Sequence, residues 1–378
     1  MEGNTEVQKP QQEKLKPRGQ TLELSEAGWL KKLRDRVNNA FGKEQAKEPI
    51  VLPKIQFDIL YARHGTKEDR EELPDRLKDA DVYIPEFFEW TGSVLKMYRD
   101  HSAGKGRLFK GPPGLELNFA LGLDPAVKEE LRILYNSHKP IGMIDMKPSY
   151  SPFLSEWDSI KQSRAERYAK PRGSFPQRLD LIRQSLESEA RFQNKREKYM
   201  ISQLRPTIQE LIKTYPSLKD KSEIKVLLSL GSAHTFVYHN LKRDSQETTR
   251  TFSRMPEVYG FETEALRRFI FGREVDDDLV SKVFLEGVFL KTHDLGRNIG
   301  NVGDSSKIIR YVRKLIPQFS FEETKEIFER LKQGEKAKQI FDIKFAEKGI
   351  RLPQSERELD EFLAKPTPKN NPALNETS

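Results

Sequence analysis

Twice in this chain a run of strand-forming apolar residues ends in a histidine. IQFDILYARHG closes on His64 and IKVLLSLGSAH closes on His234, and both runs read as buried β-strands. In an open α/β sheet, ligands and chemistry collect in the crevice beyond the carboxyl ends of the strands. The two histidines are therefore expected at one pocket, although far apart in sequence. A third strand-like run, DADVYIPEFFEW, ends the same way with Glu86 and Glu89. A His/Glu/His set suits metal ligation or general acid–base work. A single strand-end histidine is more often structural; the combination is what points to a site.

Around these runs the pattern alternates strand and helix. TKEDREELPDRLKDA with Thr66 as its N-cap, SVLKMYRDHSAG as far as Gly104, and PAVKEELRILYNSH read as helices. KPIGMIDMKPSY reads as a buried strand ending near Asp145, and the stretch from Phe175 to Tyr215 as a long, charged helix. Helices are expected again over FETEALRRFIFGREVDDDLVSKVFLEGVFLKTHDLGRN and SSKIIRYVRKLIPQFSFEETKEIFERLKQ. The fold class that follows is α/β, a mainly parallel central sheet flanked by helices and carrying helical insertions. The expected organisation is a disordered tail over 1–25, an amphipathic helix and linker over 26–48, one α/β domain over 50–345, and a second disordered tail over 364–378. In the amphipathic helix Trp29, Leu33, Val37 and Phe41 recur every four residues among Lys31, Lys32, Arg34 and Arg36. That helix either packs on the main domain or touches a membrane surface through 27–44.

Composition excludes several chemistries. The chain has no cysteine, which removes disulfides, thiolate metal sites and cysteine nucleophiles. A metal would have to be held by His, Asp, Glu, Asn or water. The 66 Lys and Arg are interspersed with 58 Asp and Glu, for a net charge of +8. No dense basic block stands out, and no nucleic-acid partner is expected. No apolar run reaches the roughly 18 residues of a membrane span, and no signal-peptide core precedes the first helix, so the expected location is cytoplasmic.

The order of parts is informative in itself. Across roughly residues 55–245 there follow a strand ending in HG, a strand ending in an acid, a helical insertion, an arginine-bearing helix and a strand ending GxxH. ARHGT carries His64, VYIPE carries Glu86, NKREKYMISQL carries Arg196 and VLLSLGSAH carries His234. On these residues the chain resembles the superfamily of erythromycin esterases, TraB/PrgY/GumN and TIKI proteins, and ChaN-like proteins. The resemblance implies an erythromycin esterase/ChaN-like fold. It also implies either a divalent-metal-dependent peptidase, as in the TIKI branch, or an esterase that activates water with a related His/Glu arrangement. Gly231, Ser232, Ala233 and His234 match GxxH, whereas Tyr61 stands where the first motif would have glycine.

The candidate catalytic residues are His64, Glu86, His234 and Arg196. With a metal (Mn, Zn or Co), His64, Glu86 and His234 are the expected ligands. Arg63, Asp145 and His239 are candidates for contacting substrate, a peptide or a small molecule. Arg63 also places a cation beside His64, which disfavours a metal and favours an anionic group. Arg196 is supported independently, because Phe192, Arg196, Met200 and Leu204 fall at successive i+4 positions on one apolar face. An arginine there needs a carboxylate or a bound anion, unless it snorkels past the edge of the stripe. The superfamily also places an arginine in this helix, near its active site. Glu89 fits the first turn of the following helix, so Glu86 is the preferred acid. His101 and His138 read as helix-end histidines, while His293, Asp294 and Arg297 form either a second polar cluster or a helix cap.

The expected function is hydrolysis of a peptide or ester bond by water activated at the His/Glu/His site. The runner-up is a non-catalytic ligand-binding or interaction protein on the same scaffold. A His234→Ala change is expected to abolish turnover with the melting temperature nearly unchanged.

Overall fold

The protein is described by a computed structural model covering residues 53–62, 67–105, 125–147, 151–243, 247–252, 260–292 and 305–365. The chain divides into Met1–Val51 and Leu52–Ser378, and all described residues belong to the second unit. The tail over 1–25 and the amphipathic helix over 26–48 lie outside them, as do His64, Arg63, His293, Asp294 and Arg297.

Four parallel strands form the sheet among the described residues: β1 (Lys54–Ala62), β2 (Val82–Pro85), β3 (Glu223–Gly231) and β4 (Glu247–Phe252), in the order β2-β3-β1-β4. The β1–α1–β2 crossover passes through α1 (Lys67–Asp79). Helices α2 (Gly92–Ser102) and α3 (Pro125–Leu134) follow, then α4 (Ser151–Arg167), α5 (Phe175–Thr214) and the short α6 (Pro216–Lys219) lead into β3. Helix α7 (Thr235–Arg243) joins β3 to β4. The α/β class expected from the alternating pattern is present, with a small sheet in a largely helical protein.

Alternating side chains divide the strands between two apolar layers. Phe57, Ile59, Tyr61, Val82, Ile84, Val226, Leu228 and Leu230 pack under Met200, Leu204, Ile208 and Leu211 of α5. Leu60, Tyr83 and Leu227 face the other way, against Leu73 and Leu77 of α1, Tyr98 of α2, and Leu131 and Leu134 of α3. A parallel sheet covered on both faces needs such nearly continuous apolar strands, which is why these runs were conspicuous in the sequence. Two differences from the expected sheet have simple causes. The run ending near Asp145 is no full strand; it meets β2 only at Ile141, opposite Tyr83, with Tyr83 N donating to Pro140 O at 3.0 Å and Gly142 N to Tyr83 O at 3.1 Å. Strand β4, ETTRTF, was not anticipated, because an edge strand with little apolar burial leaves no apolar signature.

Among the described residues after β4 the elements are helices, chiefly α8 (Phe261–Ile270), α9 (Asp277–Thr292), α10 (Ser305–Leu315), α11 (Phe321–Lys332), α12 (Ala337–Glu347) and α13 (Glu356–Ala364). These are not insertions flanking the sheet. They enclose a second core of their own, in which Phe284, Phe289, Phe319, Phe328, Phe341 and Phe345 pack together. The expected domain boundary at 345 is too early, because Leu359 and Leu363 of α13 are buried in this core.

One element belongs to both cores. Helix α5 has 40 residues and so runs about 60 Å. It opens with a capping box: Ser174 Oγ accepts from Gln177 N at 3.4 Å, and Gln177 Oε1 accepts from Ser174 N at 2.9 Å. Its first half buries Phe175, Leu179, Ile182 and Leu186 in the helical core, and its second half buries Met200, Leu204 and Ile208 under the sheet.

Between the two apolar stretches α5 is fastened by charge. Arg167, fully buried at the end of α4, donates from Nη2 to Glu189 at 2.7 Å and from Nη1 to Glu262 at 2.6 Å. Its Nε and Nη2 also reach Ser185 Oγ at 3.1 and 2.9 Å. Burial alone would raise the carboxyl of Glu189, but Arg164 and Arg167 together hold it below its ordinary pKa. The guanidinium thus ties α4, α5 and α8 together. Arg167→Ala would leave Glu189 to Arg164 alone and take Arg167 from Glu262, and should cost about 3 kcal/mol in denaturant unfolding. A loss below 1 kcal/mol would show that the network contributes little.

Candidate functional site

Because the strands are parallel, their carboxyl ends share one edge of the sheet. In register Ala62 of β1 lies beside Gly231 of β3, and Pro85 of β2 beside Ser229 of β3. The β2–β3 ladder continues one residue further, as Glu86 N donates to Ser229 O at 2.8 Å. This fixes the Glu86 backbone at the end of β3. His234 follows β3 after a turn closed by its own amide, which donates to Gly231 O at 2.9 Å.

The side chains then meet. His234 Nε2 lies 2.8 Å from Glu86 Oε1, and Gly231 N donates to Glu86 Oε2 at 2.6 Å. Arg196 reaches in from α5, with Nη2 donating to Glu86 Oε1 at 2.7 Å and Nε donating to Asp145 Oδ1 at 2.9 Å. A further bond from Nη2 to Asp145 Oδ2 makes the Asp145 contact two-pronged. Arg196 also lies over the Phe88 ring, 4.8 Å from its centroid. Burial works against the guanidinium charge, but Asp145 and Glu86 outweigh it and hold Arg196 above its ordinary pKa.

The structure therefore brings Glu86, His234, Arg196 and Asp145 into one cluster. His64 and Arg63 lie outside the described residues. Asp145 is buried, with 1% of its side chain exposed. Its Oδ1 accepts from Met146 N at 2.8 Å and its carbonyl accepts from Trp90 Nε1 at 2.6 Å. It is the counter-ion of Arg196, not a group presented to substrate. His239 is also not in the pocket. Five residues along α7 rotate it about 140° away from His234, and it is exposed against Phe271, ring centroids 5.1 Å apart. Loss of hydration there, with the charges of Arg250, Arg267 and Arg273, lowers the pKa of its imidazole. Glu89 is exposed at φ 59° and belongs to neither α2 nor the cluster.

Three participants were not anticipated. Tyr61, at the position where the resembled motif has glycine, is fully buried and donates its hydroxyl to His234 O at 3.1 Å. Gln193 Nε2 lies 2.9 Å from His234 Nδ1 and 3.2 Å from Glu197 Oε1. Glu197 is completely buried; its Oε2 accepts from Val237 N in the first turn of α7 at 3.0 Å, and its Oε1 lies 3.6 Å from His234 Nδ1. Burial is the largest influence on Glu197. It pushes the carboxyl up to about 7 against the opposing pull of His234, Gln193, Val237 N–H and Arg196. The available signal was spacing: Gln193, Arg196 and Glu197 stand at i, i+3 and i+4, one face of α5.

The described members of the expected metal set, Glu86 and His234, are bonded to each other and not turned toward a common point. The Arg196 guanidinium stands 2.7 Å from the oxygen that would ligate. The two described groups are thus engaged with each other, and Glu86 with Arg196. Among the described residues no group of three or more His, Cys, Asp or Glu is placed to hold one. His64, the other expected ligand, is outside the described residues. Among them, too, no helix is long and apolar enough to cross a membrane.

Set against protein-family models, curated proteins and solved structures, the chain matches none.

The raised carboxyl of Glu197 gives a stability prediction with a definite sign. The folded state keeps a proton that the unfolded state releases near its ordinary value of 4.5. Stability from this group is therefore complete below that value and is lost as pH rises to about 7. Measured against Glu197→Gln, the wild type should lose on the order of 3 kcal/mol between these limits. Parallel unfolding free energies for the two proteins across pH 5–8 would refute the assignment.

Proposed function

We infer that the cluster is the acid–base centre of a hydrolase of the erythromycin esterase/TraB/TIKI type, acting on a peptide or ester bond. The observation that carries this reading is the 2.8 Å Glu86–His234 contact at the carboxyl edge of a parallel sheet, with Arg196 bonded to the same carboxylate. In the proposed reaction a histidine takes a proton from the attacking water. Glu86 orients that histidine and holds the imidazolium that forms. Arg196, shared with Asp145, holds the Glu86 carboxylate in place. His234 is the described candidate for the base, a role that requires the Gln193 amide to yield Nδ1 to the water; His64, two residues past the end of β1 in sequence, is the second. The erythromycin esterase/ChaN-like assignment of the fold belongs to the same proposal. It is supported by the order of the strand-end residues and by the arginine arriving from a long helix before β3.

Removal of the His234 ring carries a cost in stability that the sequence expectation left out. The side chain is 3% exposed and bonded to Glu86 and Gln193, so His234→Ala should lose about 1–3 kcal/mol. Turnover should fall by about 10²–10⁴-fold at a temperature where the variant remains folded. The assay is hydrolysis of a panel of fluorogenic esters and peptides by wild type, His64→Ala and His234→Ala. Wild-type turnover that survives both substitutions would overturn the reading. A wild type inert on the whole panel, yet forming a stable complex with one of its members, would favour the non-catalytic binder.

A further inference from the structure

Glu197 and Gln193 have no part in the reaction as described, yet both converge on the histidine from one face of α5. We propose that they are positioning residues: a directional relay from the α7 backbone through Glu197 and Gln193 fixes His234 in its Nε2–H tautomer, ring turned to Glu86. As a statement about a hydrolase this rests on the reading above; as a statement about the imidazole it stands alone.

One direction satisfies every contact. Val237 N–H donates to Glu197 Oε2 at 3.0 Å. Above about pH 7 the Glu197 carboxyl is ionised and only accepts, so its Oε1, 3.2 Å from the Gln193 amide, faces the NH₂ end. The same nitrogen lies 2.9 Å from His234 Nδ1 and 3.2 Å from Nε2; Nε2 already faces the Glu86 carboxylate at 2.8 Å, so the amide N–H falls to Nδ1. A ring nitrogen facing an amide donor carries no proton. The remaining nitrogen, Nε2, bears the hydrogen and donates it to Glu86 Oε1 at 2.8 Å. Glu86 in turn accepts from Arg196 and Gly231 N, so it also faces the imidazole as an acceptor. The two ends of the relay thus require the same tautomer. The Tyr61 hydroxyl, on His234 O at 3.1 Å, keeps the backbone from turning while the side chain is held.

A carboxamide at position 197 would reverse the chain. Its single oxygen would be claimed by Val237 N–H and its NH₂ would point at Gln193. Gln193 must then rotate and present its own oxygen to both neighbours. A carbonyl oxygen beside Nδ1 requires Nδ1–H, which leaves two acceptors, Nε2 and Glu86 Oε1, face to face. Glu197→Gln is nearly isosteric and keeps the acceptor for α7, so its effect falls on the ring and not on the fold.

The test is long-range ¹H–¹⁵N correlation on histidine-labelled full-length protein at pH 8, with His234→Asn used to assign the signals. Wild type should show a protonated Nε2 and a bare Nδ1 at His234. Glu197→Gln should show the reverse pattern. Gln193→Leu, a change at a half-buried position, removes the donor to Nδ1 and should also lose the pure Nε2–H signature. On a substrate the wild type turns over, Glu197→Gln, which sets Nε2 and Glu86 face to face as acceptors, should lower kcat by about 10–100-fold with KM changed by less. A wild-type ring protonated at Nδ1, or an Nε2–H pattern unchanged in both variants, would overturn the relay. A relay verified by its spectra in a protein that hydrolyses nothing would remove the hydrolase reading and leave the tautomer assignment standing.

Discussion

The long helix α5 has to satisfy two hydrophobic cores at once, and most of the remaining structure follows from that. Its amino-terminal half is an apolar rib of the helical body, and its carboxyl-terminal half is a roof over the sheet. Where the rib becomes the roof, between Glu189 and Glu197, buried polar side chains stand beside the buried Phe192, while Arg191 and Lys195 face water. The buried polar groups cannot reach bulk water and must find partners inside. On one side Glu189 meets Arg167 and Arg164; on the other, Arg196 meets Asp145 and Glu86. The candidate site is thus one of two polar joints in a single helix.

The two joints differ in how completely they are neutralised. At the Arg167 joint two guanidiniums share Glu189, and a serine hydroxyl is available. At the Arg196 joint one guanidinium serves two carboxylates, with a third, Glu197, buried nearby. The second arrangement carries unbalanced negative charge in a low-dielectric setting. Backbone amides of Gly231, Met146 and Val237 offset it, each charge-assisted bond being among the stronger kinds available. Burial nevertheless dominates at Glu197. The first joint holds helices together; the second leaves the Glu197 carboxyl pushed up to about 7.

Much of this was legible in the sequence because it rested on periodicity. Apolar strands buried on both faces announced β1, β2 and β3, and the i+4 stripe through Phe192, Arg196 and Met200 placed the arginine inward. Asp145 was marked by its place at the end of an apolar run. What escaped notice was polar on an already charged helix. Gln193 and Glu197 look like ordinary solvated residues until α7 is known to cover them. His239 was misplaced because adjacency along the chain was given weight over rotation around the helix. Strand β4 and helix α13 were missed or cut short for related reasons: an edge strand shows no two-sided apolar run, and a short terminal helix shows few apolar positions.

Tyr61 connects the two middle strands in a way that backbone pairing alone does not. Its ring is embedded in the layer beneath α5, and its hydroxyl holds the carbonyl of His234 beyond the end of the neighbouring strand. The histidine is therefore anchored at its main chain from β1 and at its ring from β2 and α5. The position of the imidazole against Glu86 is thereby tied to the register of β1 on β3, so a contact at the sheet's edge depends on pairing set deep between two strands.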